Sequence, residues 1–128
     1  MSTELIVASD TITIEEAIKL LVNNRITGFP VVDKANKLVG VLSELDIIRA
    51  VQNPDKPSID LKSPAHFTTK VRSISEDAKW HDILKTFLEK NIRRLPVIDA
   101  EGRLKGIITR RDVMKALFYS SKNKVDRG

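Results

Sequence analysis

Apolar residues recur along this chain with two periods, and the switches between them mark the elements. Ile14, Ala17, Ile18, Leu21 and Val22 fall at the three- and four-residue spacing of one helix face. Thr13 and Glu16 sit where a capping box opens a helix, each side chain satisfying a backbone N–H of the other. Two runs of strand character follow, Phe29–Asp33 and Leu38–Leu42. They are joined by Lys34-Ala-Asn-Lys37, with Asn36 placed where a hairpin needs positive φ. A second helix carries Ile47, Ile48 and Val51 and is predicted to stop at Asn53-Pro54. A short apolar opening over Leu5–Ala8 completes the order strand, helix, strand, strand, helix.

That order occurs twice. Displacing the sequence by 66 residues aligns 5–51 with 71–117 without a gap, and ten of the 47 pairs are identical. Pro30/Pro96, Val31/Val97, Asp33/Asp99, Gly40/Gly106 and Asp46/Asp112 are among them, and most apolar positions exchange like for like. The second copy opens at Val71–Ile74. Its first helix carries Trp80, Ile83, Leu84, Phe87 and Leu88, and its last Val113, Met114, Leu117 and Phe118. The predicted division is a first repeat over 1–53, a linker with three prolines over 54–69, a second repeat over 70–119 and a flexible tail over 120–128. Neither copy is expected to bury its stripes alone, so the two should share one core about a pseudo-twofold axis. The fold class is α/β of the α+β kind.

Composition narrows the functional classes. No uncharged apolar run approaches the length of a membrane span, and the opening Met1-Ser-Thr-Glu lacks a basic segment leading into an apolar one. A cytoplasmic location is the expectation. With no Cys and two distant histidines, His66 and His81, neither a thiolate nor a metal cluster is expected. No strained nucleophile elbow and no glycine-rich phosphate loop is present, so neither catalysis nor a catalytic cofactor is expected. Charge is uneven: residues 1–64 carry a net −2 and residues 65–128 a net +7. The pairs Arg93-Arg94 and Arg110-Arg111 read as a solvated basic face, a phosphate pocket or a nucleic-acid patch.

The runs Phe29-Pro-Val-Val-Asp33 with Leu38-Val-Gly-Val-Leu-Ser-Glu-Leu-Asp46, and Leu95-Pro-Val-Ile-Asp99 with Leu104-Lys-Gly-Ile-Ile-Thr-Arg-Arg-Asp112, resemble the cystathionine-β-synthase (CBS) domain. Two tandem copies resemble a Bateman module, and the resemblance spans residues 5–118. It implies a regulatory sensor that binds AMP, ADP, ATP or S-adenosylmethionine in clefts between the copies and pairs into a homodimer. The downstream protein partner is not legible.

The motif also has a physical reading. Ser43 and Thr109 end a strand and open a helix, where unpaired N–H groups and the macrodipole favour a phosphate. Asp46 and Asp112 lie one turn in, where an ionised carboxylate can accept both hydroxyls of a ribose. The same Ser/Thr-x-x-Asp spacing also reads as a helix cap that needs no ligand. Gly40 and Gly106, inside strands, suggest close approach of a backbone or a ligand.

Arg93-Arg94 stand where the first copy has Thr27-Gly28, and related motifs carry a basic residue there that reaches ligand phosphates. The second copy is therefore the better anion site. The candidate ligand-binding residues are Thr109, Asp112, Arg94, Arg93, Pro96 and Val71, with Ser43, Asp46 and Pro30 as the weaker first set. His66-Phe67 reads either as adenine lining or as surface packing, and Trp80 as core or dimer contact. Two other readings remain: a ligand-free dimerisation module, and a nucleic-acid-binding protein using the basic second half. Against the latter, no basic stretch interleaves with aromatics.

Overall fold

A computed structural model describes residues 5–89 and 91–127, with side chains through residue 120. Its elements run β1 (Ala8–Ser9), α1 (Ile14–Asn24), β2 (Gly28–Val32), β3 (Leu38–Ser43), α2 (Glu44–Arg49), β4 (Ile74–Ser75), α3 (Trp80–Glu89), β5 (Arg94–Ile98), β6 (Leu104–Thr109) and α4 (Arg110–Arg127). Two three-stranded sheets result, β1-β2-β3 and β4-β5-β6, each with a parallel pair and an antiparallel pair. The mixed α+β class and the twofold repetition of strand-helix-strand-strand-helix stand as expected. The chain divides into two compact units, Ile6–Val71 and a second one built on Arg72 onward.

The opening strands start three residues later than the sequence suggested, at Ala8 and Ile74 rather than Leu5 and Val71. Proline explains the shift. β1 pairs only with Val31 and Val32, and the next position back on β2 is Pro30, which has no N–H to offer a ladder. Opposite Pro30 on β3 lies Val41, whose own N–H and carbonyl both turn outward to Thr68, at 2.9 and 3.0 Å. Pro30 therefore occupies a position where the β2–β3 ladder asks for no bond, and a proline in a central strand costs little. Both hairpins also contain a bulge that the alternation did not reveal. Val31 faces Gly40 and Val32 faces Leu38, leaving Val39 extra; the second sheet repeats this at Lys105.

The turns are organised by the repeated aspartates. Asp33 Oδ1 accepts the N–H groups of Ala35 (2.9 Å) and Lys37 (3.0 Å), and Asn36 takes φ of 63°. Asp99 repeats the arrangement with Glu101 and Arg103, around Gly102 at φ 84°. Asp99 is buried, and Arg103 Nε donates to its Oδ2 at 2.8 Å. Burial raises the Asp99 pKa, but the donors from Arg103 and Glu101 outweigh it and hold the carboxyl below its ordinary value.

The expected capping box closes α1: Glu16 N–H donates to Thr13 Oγ1 at 3.2 Å, and Thr13 N–H to Glu16 Oε1 at 3.1 Å. The other exposed N–H groups of that first turn are met by the segment after α2. Ile14 donates to the Ser63 carbonyl at 3.0 Å and Glu15 to that of Leu61 at 2.9 Å. This segment carries no helix or regular strand, yet it belongs to the first unit. Ala65 is part of the core with Ile14, Ala17, Leu21, Phe29, Val31 and Leu42, and Ile59 and Phe67 pack on it. The first repeat thus borrows apolar surface from the proline-rich stretch.

Two helix ends depart from the sequence reading. α2 stops at Arg49, short of Asn53-Pro54, as Ala50 and Val51 donate three residues back and tighten the last turn. α4 stays helical through Arg127, over the stretch predicted as a flexible tail, where no Gly or Pro intervenes before Gly128.

Candidate functional site

The strand register assembles the second-repeat residues. Arg94, the first residue of β5, is paired with Thr109, the last of β6, and Asp112 follows in the first turn of α4. Thr109 and Asp112 form a reciprocal cap. Thr109 donates its N–H at 2.8 Å and its hydroxyl at 3.0 Å to Asp112 Oδ2, and Asp112 N–H donates to Thr109 Oγ1 at 3.1 Å. Burial raises the Asp112 pKa, and the two Thr109 donors, with Lys115 one turn on, bring it below its ordinary value. The carboxylate is therefore ionised at neutral pH, a fixed acceptor at the mouth of an 18-residue helix.

The four arginines divide. Arg110 turns back over the loop before β5, its Nε donating to the Ile92 carbonyl at 3.0 Å and its Nη2 to Asn91 Oδ1 at 2.8 Å. It fixes the approach to Arg94 instead of extending a basic patch. Arg93 and Arg111 are exposed and Arg94 is half-buried. Pro96 is buried opposite Ile107.

The first repeat has the same frame with different contents. Gly28 takes the place of Arg94, paired with Ser43, so this strand position brings no cation to the helix start. Ser43 donates its N–H (2.8 Å) and hydroxyl (3.1 Å) to Asp46 Oδ2. The other oxygen, Oδ1, accepts the Thr68 hydroxyl at 3.1 Å. Both oxygens of this nearly buried carboxylate, 9% exposed, are thus held by the chain itself. Pro30 is buried in β2, and Val71 is the last residue of the first unit.

Thr68 is the participant the sequence reading missed. Gly40 carried part of the signal, since a side chain there would collide with the Thr68 carbonyl and the Phe67 ring. The close approach expected at Gly40 is thus made by the Thr68 backbone and the Phe67 ring. Phe67 is half-buried against the first-unit core, the packing alternative of the two considered for it.

The comparison with family models decides the affiliation: the CBS-domain model matches twice, over residues 1–53 and 65–119. The chain belongs to the CBS-domain family. Among curated relatives, the CBS domain-containing protein CBSX1, chloroplastic, of Arabidopsis thaliana is 35% identical over 88% of this chain, which spans 59% of that protein's length. Among solved structures, CBSX2 of Arabidopsis thaliana in complex with AMP is 31% identical with a TM-score of 0.72, covering 92% of this chain and 90% of that one. The CBS domain pair of protein MJ0100, in complex with 5-methylthioadenosine and S-adenosyl-L-methionine, is also 31% identical, with a TM-score of 0.68 and coverages of 91% and 93%. The tandem CBS pair expected from the motifs is therefore the fold of this chain. Among the described residues no group of acids and histidines could hold a metal ion, and no helix is long and apolar enough to cross a membrane.

Proposed function

We propose that this CBS pair is a regulatory module that binds an adenosine-type ligand, either an adenine nucleotide or S-adenosylmethionine, through its second repeat. It works as a cytoplasmic homodimer and passes the signal to another protein without catalysis of its own. The observation that carries the proposal is the juxtaposition of Arg94, Thr109 and Asp112 in a fold shared with CBS pairs bound to AMP and to S-adenosyl-L-methionine. Asp112 supplies an ionised acceptor for the ribose hydroxyls, Thr109 the hydroxyl and helix start for a phosphate, and Arg94 the cation beside it. Arg93, Pro96 and Val71 complete the assignment. The first set, Ser43, Asp46 and Pro30, contributes less, since Gly28 stands where the second repeat has Arg94.

Titration calorimetry with AMP, ADP, ATP and S-adenosylmethionine tests this reading. Asp112→Ala removes hydrogen bonds to a charged acceptor, each contributing about 1.5–3 kcal/mol, and lowers affinity by roughly 10- to 100-fold. Arg94→Ala weakens ADP and ATP more than adenosine, because only the nucleotides bring a phosphate. Folded Asp112→Ala protein with unchanged affinity would reduce Asp112 to its capping role and sink the assignment.

A further inference from the structure

Arg110 opens α4 directly after Thr109, and its guanidinium reaches back across 18 residues of sequence. Nε donates to the Ile92 carbonyl at 3.0 Å and Nη2 to Asn91 Oδ1 at 2.8 Å. These acceptors belong to the two residues just before the Arg93-Arg94 pair. On the other side of Arg93, Arg94 is fixed by strand register opposite Thr109. Arg93 therefore lies between two anchored points, the fork at Ile92 and the ladder at Arg94. The first repeat has Glu44 in place of Arg110, a side chain with no N–H to donate, and Thr27-Gly28 in place of the arginines. Its turn closes on backbone, Ile26 donating to the Leu21 carbonyl at 3.1 Å. The guanidinium fork and the arginine pair occur in the same copy.

We infer that Arg110 is a positioning residue for the phosphate end of the ligand site, acting through Arg93 and Arg94 and not by touching the ligand. The inference rests on the nucleotide reading proposed above and deepens it, naming what holds the arginine pair in place. A loop that is ordered before the ligand arrives does not have to be ordered by it, so the gain appears as affinity. That gain is confined to ligands with a phosphate, because the ribose is taken by Asp112 in the same reading. The task needs a planar fork with donors in fixed directions, which a lysine ammonium of equal charge does not supply.

Titration calorimetry of the full chain with AMP and with adenosine reads the role. Arg110→Lys keeps the charge and raises the AMP dissociation constant by about three- to tenfold, while that for adenosine stays within about twofold. Asn91→Ala changes no charge and removes one acceptor of the fork. It raises the AMP constant by about two- to fivefold, and the double variant stays within about twofold of Arg110→Lys. A guanidinium that touches the phosphate directly behaves otherwise: Asn91→Ala then leaves AMP affinity unchanged or improves it, and that result overturns the inference. Equal losses for AMP and adenosine overturn it as well, since they mark general damage to the second unit. Amide exchange of residues 91–93 without ligand gives a second readout. Exchange there rises by about three- to tenfold in both variants, and unchanged exchange overturns the inference even where AMP binding falls. A parent protein that does not bind AMP sinks the nucleotide reading and the positioning role with it, whereas a parent that binds AMP and variants that match it sink the positioning role alone.

Discussion

Asp46→Ala separates a structural latch from a ligand contact, and the two roles predict opposite results. The substitution removes an acceptor for the Ser43 N–H and hydroxyl and for the Thr68 hydroxyl. Loss of a helix cap costs about 0.5–2 kcal/mol. The bond from Thr68 adds about 0.5–1.5 kcal/mol, toward the low end because that hydroxyl is exposed. Arg49 stands 4.0 Å away on an exposed side chain and adds little. The expected loss is therefore about 2 kcal/mol, a fall in Tm of roughly 6–12 °C for a chain of this size. Thr68→Val removes only the second bond and costs about 0.5 kcal/mol, and it costs almost nothing once Asp46 is alanine. Scanning calorimetry on the four proteins of this cycle gives the energies, and amide exchange at Val41 and Thr68 reports whether the strap has loosened. AMP affinity stays within about twofold of the parent, a difference of under 1 kcal/mol. A tenfold loss of affinity with Tm unchanged would refute the latch and make Asp46 a ligand residue.

Two further outcomes follow from the fold. Gly40→Ala drives a methyl group into the Phe67 ring and the Thr68 carbonyl, and lowers stability by about 1–3 kcal/mol in urea titration, the range for overpacking. Cβ has open space at Gly102, where the cost of alanine comes only from φ of 84°, so that variant is the milder one. Asp99 has a folded pKa below its unfolded one, so its stabilisation is complete above the unfolded value and is lost as pH falls through the folded one. Urea midpoints of the parent therefore decline on the acid side of the ordinary aspartate range, and Asp99→Asn flattens that limb; an unchanged limb would show that the Arg103 contact carries no linkage.

How far the sequence could be read depends on the range of each interaction. The helix stripe from Ile14 to Leu21, the Thr13–Glu16 box and the turns at Asn36 and Gly102 are local, settled within a few residues, and each sits where periodicity and spacing placed it. The 66-residue repeat then extended every local reading to its twin. What escaped was set by partners distant in the chain. Where β1 begins depends on Pro30, more than twenty residues away, and no pattern within Leu5–Ala8 carries that information. Bulges at Val39 and Lys105 leave the apolar alternation nearly intact, so they are invisible without the pairing strand. The candidate site shows the same division. Ser/Thr-x-x-Asp could be read as a cap or as a ligand site because both uses need one spacing, and in both repeats the cap is formed. What the spacing could not show is Thr68, 22 residues from Asp46 in a proline-rich stretch that read as a tether, whose hydroxyl donates to Asp46 Oδ1. An internal repeat therefore identifies where a site can form, while a contact from far along the chain, such as that of Thr68 with Asp46, lies outside what its spacing can show.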